Sequence, residues 1–86
     1  MPKTEAIPEE EARKIELEIK KQIAGVGSNV SDTIRQLNEK YGTADTPQTV
    51  TRQLKQGIIP FWKVLRIADV LGYKITWEKQ KSPDSN

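Results

Sequence analysis

The sequence predicts an all-α fold of four helices, followed by one short C-terminal β-strand. Three observations support this prediction. Apolar residues recur at spacings of three and four through most of the chain, as they do on the buried side of a helix. Gly and Pro stand between these stretches, where helices end and begin. Near the C-terminus the spacing changes to alternation, which is typical of a half-buried strand.

The composition restricts what the chain can do. Its 86 residues predict one domain with a modest core. Cys and His are both absent, which excludes disulfides, Cys or His nucleophiles and zinc fingers. The remaining Ser, Lys, Asp and Glu residues show no nucleophile beside a base, so no enzyme, cofactor or metal is predicted. No apolar run fits a membrane span or a secretory signal, so we expect a cytoplasmic protein with no membrane partner.

The net charge of +2 is distributed unevenly. Residues 1–18 contain six acidic and three basic residues. In contrast, no acidic residue occurs between Asp45 and Asp69. That stretch contains four basic residues: Arg52, Lys55, Lys63 and Arg66. An acidic beginning and a basic middle indicate a polyanionic partner for the middle of the chain.

The first helix is predicted to begin at Pro8. Three glutamates follow this proline, and carboxylates in a first turn interact favourably with the helix dipole. Residues 1–7 lack periodicity, and we expect a flexible N-terminus there. Gly25 and Gly27 predict the end of the helix. Its apolar stripe consists of Ala12, Ile15, Ile19, Ile23 and Val26.

The second helix has candidate capping residues at Ser28, Asn29 and Ser31, and Gly42 closes it. Its apolar positions are Val30, Ile34, Leu37 and Tyr41. A turn of small polar residues follows. Thr46 is then a suitable cap for a third helix over residues 47–56, with Pro47 in its first turn.

Pro60 opens a fourth helix, which Gly72 terminates. The residues predicted to lie inside are Phe61, Val64, Leu65, Ile67, Ala68 and Leu71. Residues 73–78 are the strand, and residues 79–86 are a disordered tail. Residues 8–78 therefore form the predicted domain.

A strand needs a partner for its backbone groups, and no other part of this chain alternates. Either residues 73–78 fold back onto the first helix, or two copies pair across a dimer axis. The sequence favours a homodimer, because an exposed apolar patch usually marks a contact. Its predicted interface consists of Tyr73, Ile75 and Trp77.

The third helix is the most informative segment. At 100° per residue, Val50 and Leu54 share the buried side with Pro47. The opposite side presents amides, a hydroxyl and cations: Gln48, Thr49, Arg52, Lys55 and Gln56. Gln can pair with adenine and Arg with guanine in the major groove of DNA.

Two sequence blocks resemble a known family. Pro47-Gln48-Thr49-Val50-Thr51-Arg52-Gln53-Leu54, followed by Gly57, is similar to the recognition helix of the lambda-repressor-like (Xre/Cro/cI) helix-turn-helix family. Pro60 to Gly72, with its Ile67-Ala68-Asp69-Val70-Leu71-Gly72 ending, resembles the next helix of that family. The resemblance covers about residues 30–72. The chain differs from the family in a longer turn over residues 42–47, in Asn38 where a small Ala is common, and in a strand replacing the fifth helix.

The resemblance implies a helix-turn-helix domain whose third helix enters the major groove of double-stranded DNA. The implied base-contacting residues are Gln48, Thr49 and Arg52. The predicted phosphate-contacting residues are Ser28, Asn29, Ser31, Lys55, Gln56 and Lys63. Together these features predict a small dimeric transcriptional regulator, repressor-like, of the kind found in bacteria, phages or mobile elements.

An alternative function uses the same scaffold for protein interaction, because a fold does not fix a function. The chain would then be an antitoxin or a phage-encoded inhibitor. Its contacts would come from the acidic first helix and from Tyr73, Ile75 and Trp77.

Overall fold

The computed structural model describes residues 7–81, and these form four α-helices. The helices are α1 (Glu9–Gly25), α2 (Val30–Tyr41), α3 (Pro47–Gln56) and α4 (Phe61–Leu71). Their order and boundaries confirm the four predicted helices. Residues 1–6 of the predicted flexible terminus and residues 82–86 of the predicted tail lie outside the described part of the chain. None of the four helices has the length and apolar character needed to cross a membrane.

The centre of the core lies between α2, α3 and α4. Its buried side chains are Ile34, Leu37, Val50, Leu54 and Ile67. The first helix covers this cluster from one side and contacts α2 and α3, where Ala12 and Ile23 are buried. Full burial of one such aliphatic side chain contributes about 1.5–3 kcal/mol. The apolar stripes read from the sequence therefore hold the four helices together, except at Val26, which is exposed after the end of α1.

The helix ends follow the capping chemistry of the sequence. Asn29, one of the three candidate caps, receives a hydrogen bond on Oδ1 from the Asp32 backbone N–H at 2.8 Å. The hydroxyl of Thr46 accepts from the Thr49 N–H at 3.1 Å, and Pro47 occupies the first turn of α3. Each bond satisfies a backbone donor that the helix itself leaves without a partner. The start of α3 is consequently well defined.

Gly57 ends α3 at a close contact with α1. Its φ of +69° is left-handed, which glycine tolerates better than other residues. A Cβ at this position would lie 2.3 Å from Cδ1 of Ile7 and 3.1 Å from Cα of Ala12. Ile7 therefore packs over the end of α3.

Two predicted residues of α4 are exposed instead of buried. Phe61 is 54% exposed and Leu65 is 44% exposed, whereas Lys63 lies inside with Ile67. Lys63 can be buried because Asp45 and Gln53 accept hydrogen bonds from its ammonium group. This arrangement turns Phe61 and Leu65 outward.

The predicted strand does not form within the single chain, because no strand is present among residues 7–81. The Tyr73 N–H donates to the Ala68 carbonyl at the end of α4, and the Tyr73 hydroxyl donates to the Gln22 carbonyl on α1. Tyr73 thus folds back onto the first helix. Trp77 does not, since it is 87% exposed. The physical reason is that no second strand offers hydrogen bonds to this segment.

Candidate nucleic-acid interface

The outward side of α3 forms a shallow depression without acidic residues. Pro47, predicted on the buried side, also lines this depression and is half-buried. We call the polar part of the depression the α3 outer face; its residues are Gln48, Thr51, Arg52, Lys55 and Gln56. Val50 and Leu54 are buried on the opposite side of the helix. Within residues 7–81, no side chain of the α3 outer face makes a hydrogen bond or an ion pair. Two cations and two amides are therefore free to contact a ligand.

The two threonines of α3 are both half-buried, but only Thr51 lines the depression. Thr49, an implied base contact, is half-buried at the flank of the helix. Its hydroxyl oxygen accepts a hydrogen bond from the Thr46 hydroxyl at 3.0 Å, which ties it to the cap. Thr51 was missed and lies on the α3 outer face. Its spacing could have revealed it, because Gln48 and Lys55 stand three positions before and four after it.

The turn between α2 and α3 is held by Asn38. Its Nδ2 donates to the Asp45 carbonyl at 2.9 Å, while its Oδ1 accepts from the Asp45 N–H at 3.0 Å and the Thr43 hydroxyl at 2.8 Å. An alanine could make none of these bonds. The Asn38 side chain therefore holds the turn over residues 42–47 through hydrogen bonds. These bonds also help to fix the position of α3 relative to α2.

Lys63 occupies a position that does not suit its predicted phosphate contact. Its side chain is only 5% exposed. The ammonium group donates to Asp45 Oδ1 and to Gln53 Oε1, both at 3.1 Å. A buried charge needs such partners, and leaving them for a phosphate would expose an unpaired Asp45. In the single chain Lys63 therefore joins the turn, α3 and α4, and the predicted phosphate contact would require its ammonium group to leave both partners.

The start of α2 offers little to a phosphate. Asn29 is committed to its cap, and the Ser28 hydroxyl lies 3.2 Å from the Thr33 hydroxyl. Ser31 is exposed. However, Asp32 places a carboxylate in the first turn, where it already interacts with the positive end of the helix dipole. Of the three predicted residues here, Ser31 alone makes no side-chain hydrogen bond within the described chain, and it lies next to the carboxylate of Asp32.

A polar cluster joins the end of α2 to α4. The Lys40 ammonium and the Tyr41 hydroxyl both donate to Asp69 Oδ2. The bond from Lys40, followed by that from Tyr41, lowers the pKa of Asp69. The bond to Asp69 raises the pKa of Lys40 and of Tyr41. Arg66 lies 4.5 Å from the centre of the Tyr41 ring, which places a second cation beside the cluster.

An apolar groove lies between α1, α4 and the segment that follows α4. Tyr73 and Ile75 line it together with Ile19, Val64 and Leu71. The polar residues Glu18, Lys74 and Thr76 also line this groove. Two of the three predicted dimer-interface residues are thus brought together, while Trp77 does not line the groove and is 87% exposed. Among the described residues, no group of three or more acidic side chains is arranged to hold a metal ion.

Comparisons of this chain with protein-family models, with curated proteins and with solved structures found no match. The resemblance to the lambda-repressor-like family is thus supported only by the sequence blocks quoted above. The geometry adds that Gln48, Arg52, Lys55 and Gln56 share one face of α3. Thr49 lies at its flank, and Lys63 lies behind it.

Proposed function

We propose that this chain is a sequence-specific double-stranded DNA-binding protein of the helix-turn-helix type, with α2 and α3 as its two helices. In this proposal α3 enters the major groove, and the chain acts as a small, cytoplasmic, dimeric transcriptional regulator of the repressor kind. The observation that supports it most strongly is the α3 outer face. Its cations and amides have no partner among residues 7–81 and no acidic neighbour on the helix.

The proposed contacts follow from the chemistry of each side chain. Arg52 lies near the centre of the exposed arc, where a guanidinium can form two hydrogen bonds with guanine. Gln48 is one turn closer to the start of α3 and can pair with adenine. Lys55 and Gln56 lie near the end of the helix and are assigned to phosphates. Thr49 contributes a methyl or hydroxyl contact from the flank.

The first experiment selects bound duplexes from a random pool and then measures affinity by fluorescence anisotropy. Substitution Arg52→Ala is expected to cost about 1–3 kcal/mol in binding and to relax preference at one base position. Substitution Lys55→Ala is expected to weaken all sequences alike and to lower the salt slope by about one unit. The two variants thus separate base reading from phosphate contact.

Arg13→Ala is the matched control, because Arg13 is an exposed arginine on α1 with no ion pair inside the described range. This variant should bind the selected duplex with nearly the affinity of the wild type. If the pool yields no enriched sequence, or if Arg52→Ala and Arg13→Ala bind equally well, the DNA-binding proposal fails.

The protein-interaction alternative is favoured by one observation: Trp77 is 87% exposed near the apolar groove. A large aromatic side chain in that position is typical of a contact surface. Under this alternative, Trp77→Ala abolishes the biological activity at protein concentrations where the chain is still helical and dimeric, and Arg52→Ala leaves that activity unchanged. The opposite pattern supports DNA binding.

A further inference from the structure

The segment after α4 has backbone groups available for pairing. Beyond Tyr73, no backbone N–H of residues 74–81 makes a hydrogen bond within the described part of the chain. Residues 73–77 are rich in aromatic and β-branched side chains, and residues 73–81 contain neither Gly nor Pro. Such residues favour strands, and unpaired edge groups recruit another strand. The segment therefore needs an external partner to become a strand.

We propose that the partner is a second copy of this chain, paired antiparallel over residues 73–79, with the two-fold axis passing through Thr76. In this register Lys74 lies opposite Glu78 of the second copy, and Glu78 lies opposite its Lys74. Ile75 likewise lies opposite Trp77. Opposite charges and aromatic–β-branched pairs both stabilise neighbouring strands. The segment is thus self-complementary, as a two-fold interface requires.

The charges select this register over its neighbours. Residues that lie directly opposite each other in an antiparallel pair have their side chains on the same face of the sheet. A two-fold axis perpendicular to the sheet therefore lies midway between the two copies of one residue, and that residue defines the register. With the axis at Ile75, Lys74 faces Thr76 and Glu78 faces Gly72. With the axis at Trp77, Lys74 faces Gln80 and Glu78 faces Thr76. Of these three registers, only the axis at Thr76 pairs a lysine with a glutamate.

The register also accounts for the exposed tryptophan. Ile75 lines the groove between α1 and α4. Pairing at Thr76 sets Trp77 of the second copy beside Ile75, on the same face of the two-stranded sheet. The side chain that is 87% exposed in the single chain is then covered by apolar surface. Each copy covers the tryptophan of the other.

This inference specifies the dimer named in the proposed function, but it does not depend on DNA binding. Sedimentation velocity without DNA, over a series of concentrations, tests it separately. The wild type should be dimeric. Lys74→Glu and Glu78→Lys should each raise the dimer dissociation constant about tenfold or more, because two attractive pairs become repulsive. Far-UV circular dichroism should show all chains equally helical, since both side chains are exposed.

An equimolar mixture of the two variants gives the decisive result. In the mixed dimer, the glutamate introduced at position 74 of one chain faces the lysine introduced at position 78 of the other. The unchanged Glu78 of the first chain likewise faces the unchanged Lys74 of the second. Mixing should therefore restore dimers with about the wild-type dissociation constant, as should the double variant Lys74→Glu/Glu78→Lys. Lys79→Glu is the matched control, because it makes the same change of charge opposite Tyr73 and should remain dimeric.

Fluorescence supplies a second measurement. Trp62→Phe leaves Trp77 as the sole tryptophan of the chain. Its emission should shift to shorter wavelength as the protein concentration rises through the dimer dissociation constant. A wild type that is monomeric at millimolar concentration overturns the proposal. So does a mixture that stays monomeric, or a Lys79→Glu variant as weakened as Lys74→Glu.

Discussion

The sequence predicts Lys63 as a phosphate contact at the surface, but its side chain is buried in the folded chain. Its ammonium group lies between Asp45 in the turn and Gln53 on α3, while its backbone belongs to α4. A buried lysine is tolerated only where such partners replace water. The residue therefore contributes to the position of α3, whereas Arg52 and Lys55 stay on the exposed side of that helix.

Lys63→Ala should lower the free energy of unfolding by about 3 kcal/mol, because it leaves Asp45 without its partner. Urea denaturation followed by circular dichroism measures the loss. The double variant Lys63→Met/Asp45→Asn should recover part of the lost stability, since it has no charged side chain at either position. A Lys63→Ala chain as stable as the wild type, with a lower salt slope for DNA, would restore the phosphate role.

At the scale of the element, α3 is positioned by its two ends. Thr46 caps its beginning, and Asn38 holds the turn before it. At its other end Gly57 contacts the beginning of α1. Because α3 has only 10 residues, its own hydrogen bonds are too few to stabilise it alone. Its orientation is therefore set by these contacts and by burial of Val50 and Leu54.

Gly57→Ala and Gly42→Ala make a matched pair. Both glycines have left-handed φ values, +69° and +67°, so alanine is strained by about 1–2 kcal/mol at either site. Only at Gly57 does the new Cβ also collide with Ile7 and Ala12; a Cβ built on Gly42 meets no non-neighbouring heavy atom of the described chain within 4 Å. Gly57→Ala should therefore be more destabilising by about 1–3 kcal/mol in thermal or urea unfolding. Equal losses would show that α1 does not pack against Gly57 in solution.

For the whole molecule, the cluster of Lys40, Tyr41 and Asp69 links α2 to α4, joining residues that are 28 and 29 positions apart in the sequence. The lowered pKa of Asp69 means that its contribution to stability is present above about pH 4 and is lost as the pH falls through the folded value. The raised pKa values of Lys40 and Tyr41 give stability the opposite dependence on pH. Their contribution is present below about pH 10 and is lost as the pH rises through the folded values.

Asp69→Asn should lower the melting temperature near pH 7, and the difference from the wild type should shrink below about pH 4 and above about pH 10. Tyr41→Phe is the control, because it removes one donor to Asp69 and keeps Lys40. Its effect at pH 7 should be smaller than that of Asp69→Asn. Melting curves measured by circular dichroism from pH 2 to 11 provide the data. Parallel curves for Asp69→Asn and the wild type would show that this cluster does not stabilise the fold.

The four helices and their ends could be predicted from the sequence because they depend on neighbouring residues. Thr46, Pro47 and Gly57 define α3 through capping and backbone preference, which act within one helical turn. The polar side of α3 follows in the same way from a period of 3.6 residues. Those local signals determined most of the candidate DNA-contacting surface, including Gln48 and Arg52.

The tertiary structure decided the remainder, because it depends on contacts between distant residues. Asp45 and Gln53 approach Lys63 only once α3 and α4 are packed, so its sequence neighbours gave no sign of burial. Residues 73–78 have the pattern of a strand, but a strand requires a partner that this chain alone does not supply. The sequence by itself thus determined the four helices and the polar side of α3. Only the folded chain decided which charges remain at the surface and which segment is left to pair.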